Sequence, residues 1–399
     1  MSRGGCVVSV RESEQTKRGI LFRVACVFIA LASGLLSWWM SSDQANCAFP
    51  GFVVAPDIPA SEPPFFRTNV INPGAPQPKS HSAALAELPG GELLAAWYAG
   101  KGEVEDDVAI YLSRRGPDGE WSPPGVIITR EGVASQLGRN VISLGNPLLL
   151  SDESARVGLL FVSIAAGRWS GSSMNIAWSE DGGRTWGPVR KLTMNPLANL
   201  SALPRNPPAP LLGGGWAVPV YEEFLGKFPE ILWLQPERDG WIDAVSRIYG
   251  GVSILQPALV PLDTRRAVAL FRDYTSARRM SVAWSDDAGR TWSRPVPTDI
   301  PNVDSGVCAV RLSDGALLCA FNDFSPGKRE NLRLAISRDE GRTWRRVATL
   351  QEEAGSEFSY PYMLARGGRV MMVYSARQKE IHFAEFNEAW VRQQEERAQ

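Results

Sequence analysis

The sequence is poor in the residues that hold metals. Its 399 residues include only two histidines, His81 and His382, and five cysteines, none of them in a CxxC pair. A zinc site is therefore not expected, nor is any other metal or cofactor. Neither sign of charge is in excess: 42 Lys and Arg stand against 43 Asp and Glu, a formal net charge of -1. That leaves no basic field for nucleic acid. Cys308 and Cys319 flank one predicted hairpin. Directly facing strands rarely suit disulfide geometry, so both are expected as buried free thiols.

One long apolar run exists, VACVFIALASGLLSWWM over residues 24–40, preceded by Arg3, Arg11, Lys17, Arg18 and Arg23. It is long for a signal-peptide core and slightly short for a membrane span. The basic flank predicts its N-terminal side in the cytoplasm and the rest exported. An uncleaved anchor facing the periplasm or extracellular side is preferred; cleavage near ANCA (45–48) would make the protein secreted. The expected organisation is a basic n-region (1–23), an anchor or signal core (24–40), a Pro-rich linker (41–64), one folded domain (65–386) and a polar C-terminal tail (387–399).

Within the domain a phrase repeats: SEDGGRTW at Ser179, SDDAGRTW at Ser285 and SRDEGRTW at Ser337, with worn versions ending at Trp121 and Trp241. The five tryptophans lie 51 to 65 residues apart. Between them stand a second turn phrase and short apolar or alternating runs. Each unit reads as four antiparallel strands, the size of a propeller blade. Three more strands over residues 359–386, completed by a strand near FFRTNVI (65–71), make a sixth blade and close the ring. The expected fold is all-β, a six-bladed β-propeller behind an N-terminal transmembrane or signal segment. A β-solenoid is the rival, but no terminal capping repeats are visible.

The phrase SxDxGxTW resembles the Asp-box, or BNR, repeat of the sialidase (neuraminidase) superfamily over roughly residues 65–386. The resemblance implies a six-bladed catalytic propeller. In physical terms the phrase is a stapled turn, so Asp181, Asp287 and Asp339 are assigned structural roles.

Antiparallel connectivity puts the Asp-box turns on one rim and the starts of strands one and three and the end of strand two on the other. That second rim collects polar residues, including His81, Glu103, Asp106, Asp107, Asn146, Arg205, Tyr221, Glu222, Gln256, Arg272, Asn322, Arg329, Tyr360 and Arg377. By the resemblance, Arg329 and Arg272 stand for two of the three arginines that hold a sugar carboxylate, with Arg377 as a third candidate. Tyr360 in EFSYPYML stands for the tyrosine nucleophile, and Asp107, or its neighbour Asp106, for the acid/base.

Two positions depart from the pattern. His81 occupies the place of the first arginine, and mostly neutral imidazole holds a carboxylate less well than guanidinium. Gln256 occupies the place of the glutamate that would activate the tyrosine, and an amide accepts no proton. Glu222 is the candidate substitute base, and Glu357 a weaker one. His81, Gln256 and Asn322 are expected to contact substrate. The leading function is an exo-acting glycoside hydrolase of an extracytoplasmic glycan, retaining if Tyr360 is the nucleophile. The alternative is a non-catalytic, membrane-tethered glycan-binding propeller. A monomer is expected in either case, with a glycan as partner.

Overall fold

Runs such as LLAAWYAG, VGLLFVSI and AVALFRD are bounded by turn residues, and each is a strand: Leu93–Gly100, Val157–Ile164 and Ala267–Asp273. The computed structural model describes residues 19–35, 49–54, 62–116, 118–152, 154–193, 201–223, 226–235, 241–251, 253–323 and 329–398. Strands of this kind form six antiparallel sheets, the blades of a propeller. Blade one holds Lys79–Glu87, Leu93–Gly100, Ala109–Arg115 and Gly125–Ile128. Blade two holds Ser143–Ser151, Val157–Ile164, Ser172–Ser179 and Arg190–Lys191. Blade three has a split first strand, Leu203–Pro204 and Ala209–Pro210, followed by Trp216–Glu222, Phe228–Gln235 and Trp241–Arg247.

Blade four runs Ile254–Pro261, Ala267–Asp273, Arg279–Ser285 and Val296–Pro301. Blade five runs Cys308–Arg311, Leu317–Phe321, Asn331–Ser337 and Arg345–Glu352. Blade six takes Phe358–Arg366, Arg369–Ala376 and Glu380–Asn387 from the C-terminal end and borrows its outer strand, Phe66–Val70, from the N-terminal side. That strand pairs Phe66 with Phe386 and Val70 with His382, closing the ring as expected. The apolar core lies between blades: Trp97, Tyr362 and Phe383 pack blade six on blade one, and Leu318, Met363 and Met372 join blades five and six.

The three complete Asp-boxes are one device repeated. Ser179, Ser285 and Ser337 each donate to the aspartate two residues on, at 2.7, 3.0 and 2.8 Å. Each serine hydroxyl also accepts from a glycine N–H, that of Gly183, Gly289 or Gly341, whose φ of +80° to +85° only glycine adopts freely. Asp181, Asp287 and Asp339 then accept from the backbone and hydroxyl of Thr185, Thr291 and Thr343.

Two boundaries differ from expectation. Part of the Pro-rich linker is docked: Phe52 is fully buried, its N–H donates to Thr264 O, and Phe49 meets the Trp233 ring edge-on at 4.8 Å. The polar tail is a helix, Glu388–Arg397, capped by Asn387. Trp390 stacks on Phe66, Val391 is buried, and Glu395 pairs with Arg338 and Arg345. Its polarity hid an inward stripe.

Cys308 and Cys319 are free. Cys308 faces Ala320 and Cys319 faces Ala309, so the two thiols sit in different inter-blade clusters on opposite sides of the sheet. Of the apolar N-terminal run, residues 24–35 lie in a helix over 19–35, while 36–40 fall outside the described residues. Among the described residues no helix is long and apolar enough to cross a membrane.

Burial works to raise the Asp287 carboxyl, but hydrogen bonds from Thr291 and Ser285 outweigh it and hold the group below its usual range. Its folded value is thus depressed, so its stabilising contribution is present above the unfolded carboxylate value of about 3.9. It is lost as pH falls through the folded value. Asp287→Ala is expected to cost roughly 1–3 kcal/mol in a denaturant titration at neutral pH. The same variant should lose less stability than wild type on acidification below about pH 4.

Candidate active site

Four innermost strands are broken at the same place. Their pairing with the second strand shifts between His81 and Ala84, Gly145 and Leu148, Leu255 and Ala258, and Ser359 and Tyr362. At each break one residue takes positive φ: Ser82 (55°), Asn146 (44°), Gln256 (55°) and Tyr360 (54°). In three of them the next residue is proline, which has no N–H to leave unpaired in the interrupted ladder. A bulge re-aims a side chain, and here Asn146, Gln256 and Tyr360 all line one cavity of about 650 Å³.

Buried polar side chains hold these bulges. Arg205 donates to the carbonyls of Ala83 (3.2 Å), Tyr360 (2.6 Å) and Pro361 (3.1 Å). Asn206 donates to those of Gln256 and Pro257. Asn322 binds the carbonyls of Asn331 and Phe358 and accepts from Ser305. All three are buried, and Arg205 and Asn206 satisfy carbonyls that the broken ladders leave open.

The cavity wall is completed by loop residues and strand ends: Tyr98 and Glu103, Trp169, Tyr221 and Glu223, Arg272, Asp304, Arg329, Glu330 and Glu357. Arg272 donates from Nε to Asp304 Oδ1 at 2.7 Å and from Nη1 to Gln256 Oε1 at 3.3 Å. Arg329 reaches Glu357 Oε1 at 3.3 Å and the Asp304 carbonyl at 3.1 Å. A Cβ at Gly306 would stand 3.0 Å from the Tyr360 ring and 3.3 Å from Gln256 Oε1, so glycine there lets the two lie side by side.

Tyr360 sits among guanidinium groups, with Arg205 at 4.9 Å and Arg329 at 5.5 Å from its ring centroid. Burial pushes its phenol up, and Glu103 adds to that push. The charges of Arg272, Arg329 and Arg205 outweigh both and hold it below its ordinary value. Tyr221 is driven the other way by burial and by Tyr360, and stays a phenol. Its oxygen accepts from Asn146 and Gln256, both at 3.3 Å, leaving its own proton to donate.

His81 lies beneath the wall, its Nε2 3.6 Å from Glu103 Oε1 and its ring edge-on to Tyr360 at 4.7 Å. Burial first, then the charges of Arg329 and Arg205, hold it well below its ordinary value, so it is neutral at pH 7.

Of the residues expected from the sequence, the structure brings Tyr360, Arg272, Arg329 and Gln256 together at the cavity and sets His81 against it. Four others stand elsewhere. Asp107 caps its own loop, accepting from the Lys101 N–H at 3.0 and 3.1 Å, while Glu103 of the same loop lines the cavity. Arg377 is half-exposed and pairs with Glu353 and Glu380. Asn322 is fully buried, held by two backbone carbonyls and the Ser305 hydroxyl. Glu222 points to the other face of its strand, because side chains alternate and its neighbour Tyr221 takes the inward direction. No metal-binding cluster of His, Cys, Asp and Glu occurs among the described residues.

Burial, reinforced by Glu230, pushes the Glu222 carboxyl up to about 8. A raised folded value means that the native state binds the extra proton between the unfolded value, about 4.3, and 8. Stability therefore falls as pH rises through that window. Glu222→Gln should flatten this decline in thermal unfolding measured from pH 5 to 8, and leave ligand binding in the cavity unchanged.

The family described as BNR repeat-like domain matches residues 91–372. No curated protein matches the chain. Among solved structures, the Hadza microbial sialidase Hz136 is 16% identical with a TM-score of 0.65, covering 80% of this chain and 68% of its own. The NanB sialidase of Streptococcus pneumoniae is 12% identical with a TM-score of 0.63, covering 83% and 71%. A Dyadobacter fermentans protein of unknown function is 16% identical with a TM-score of 0.64, covering 81% of this chain and 99% of its own. At these identities the likeness is one of fold. The match over most of the propeller places the chain in the BNR repeat-like domain family, with the six-bladed architecture that sialidases share.

Proposed function

We propose that the protein is an exo-acting glycoside hydrolase, removing a terminal sugar from a glycan outside the cytoplasm with retention at the anomeric carbon. The observation that carries this reading is Tyr360, set on a strained bulge at a cavity wall and favoured as phenolate by Arg272, Arg329 and Arg205. Tyr360 Oη forms a bond to the anomeric carbon as the glycosidic C–O bond breaks. Of the carboxyls that line the cavity, Asp304 and Glu357 are held by arginines, and Glu103 is the one we assign to deliver a proton to the leaving oxygen and later to take one from the water that releases the sugar. His81 and Tyr98, both against Glu103, orient it.

In this reading the field of the arginines replaces the carboxylate base that Gln256 does not supply. Tyr221 serves as a hydroxyl donor to the bound sugar. The N-terminal run acts as the anchor or export signal that brings the propeller to its substrate. A second reading, glycan binding without turnover, is favoured by Gln256 alone, which is engaged with Tyr221 and Arg272 and accepts no proton.

Aryl glycosides covering neutral, deoxy, amino and acidic sugars separate the two. Turnover that falls to background in Tyr360→Phe, and by about 10²- to 10⁴-fold in Glu103→Gln, is the expected outcome. Arg329→Ala should shift the ascending limb of the pH–rate profile to higher pH, since it removes a charge that favours the phenolate. Saturable binding with no turnover of any glycoside would select the second reading.

A further inference from the structure

Five carboxylates line the cavity, those of Glu103, Glu223, Asp304, Glu330 and Glu357, against two guanidinium groups, Arg272 and Arg329. Both arginines are already engaged by carboxylates of the chain itself. Arg272 holds Asp304 at 2.7 Å, and Arg329 holds Glu357 at 3.3 Å. Glu357 is fixed further by Ser359 at 2.9 Å and Gln378 at 2.8 Å, so it is a built part of the wall. The third guanidinium, Arg205, is buried and gives both terminal nitrogens to backbone carbonyls. The position where a further arginine was expected is His81, which is neutral.

An incoming sugar carboxylate would have to compete with Asp304 or Glu357 for its arginine and sit beside the carboxylates that remain. Both steps oppose binding. A carboxylate paired with an arginine accepts hydrogen bonds and donates none, so Asp304 and Glu357 ask a neighbouring ligand for O–H or N–H donors.

We propose that the site takes a terminal sugar bearing no carboxylate, with Asp304 and Glu357 acting as specificity residues that fill the anion position from within. This rests on the cavity being a sugar site, as the proposed function has it. If an internal carboxylate occupies the place of a substrate carboxylate, then removing its charge frees an arginine for an external anion.

The test is isothermal titration of the full chain with N-acetylneuraminic acid and with glucuronic acid. Wild type, Asp304→Asn, Glu357→Gln and the double variant are compared, each checked for cooperative thermal unfolding. Wild type is expected to bind neither acid saturably, and the neutralised variants to bind at least one of them, gaining about tenfold or more in affinity. The two single variants guard against misfolding of the double one.

Wild-type binding of either acid that is lost in Arg329→Ala would overturn the proposal. So would the absence of any gain in the folded variants. Hydrolysis of neutral aryl glycosides, measured on the same samples, tests the hydrolase reading separately: its failure would leave the anion comparison intact.

Discussion

The cavity depends on one constraint, the interruption of the innermost strand at the mouth of the ring. An unbroken ladder would alternate side chains evenly between the two inter-blade cores and send none of them into the centre. The bulges at Ser82, Asn146, Gln256 and Tyr360 break that alternation and expose backbone carbonyls inside the protein. Proline after three of them removes the N–H that would otherwise be stranded, while Arg205 and Asn206 cover carbonyls of three bulges. A residue whose conformation is over-determined in this way can keep a strained φ.

Electrostatics follow from that geometry. Arg205 is needed to hold the bulges of blades one and six, and its charge comes to rest beneath the Tyr360 ring. Arg272 and Arg329 arrive from strand two of blade four and the loop before strand three of blade five, and each brings a carboxylate with it. The tyrosine therefore lies among three cations, two of which, Arg272 and Arg329, are paired with carboxylates. Phenolate is favoured there, while the cavity as a whole carries an excess of acid.

The fold was legible because the Asp-box is local. Serine, aspartate, glycine and threonine within seven residues form the staple, so three copies and two worn ones set the blade count and the phase. Which rim carries the cavity followed from strand direction alone. Individual side chains were harder. Nothing local separates Glu103 from Asp107 in KGEVEDD; Asp107 is drawn to the Lys101 amide, which leaves Glu103 for the cavity. Tyr221 and Glu222 differ by one step of a pleat that only tertiary packing fixes. Arg377 was inferred by likeness to other propellers, whereas Arg205 stands in PRNPP, beside one of the dipeptides NP, NP, QP and YP that recur where innermost strands begin. That recurrence was the available signal for the bulges.

The central claim is that guanidinium charge, in place of a carboxylate base, activates Tyr360. Ultraviolet difference titration of tyrosinate near 295 nm, comparing wild type with Tyr360→Phe, tests it directly. The account predicts one tyrosine ionising below the ordinary value of about 10, absent from Tyr360→Phe and moved upward in Arg272→Ala. A Tyr360 that ionises at or above that value would contradict it.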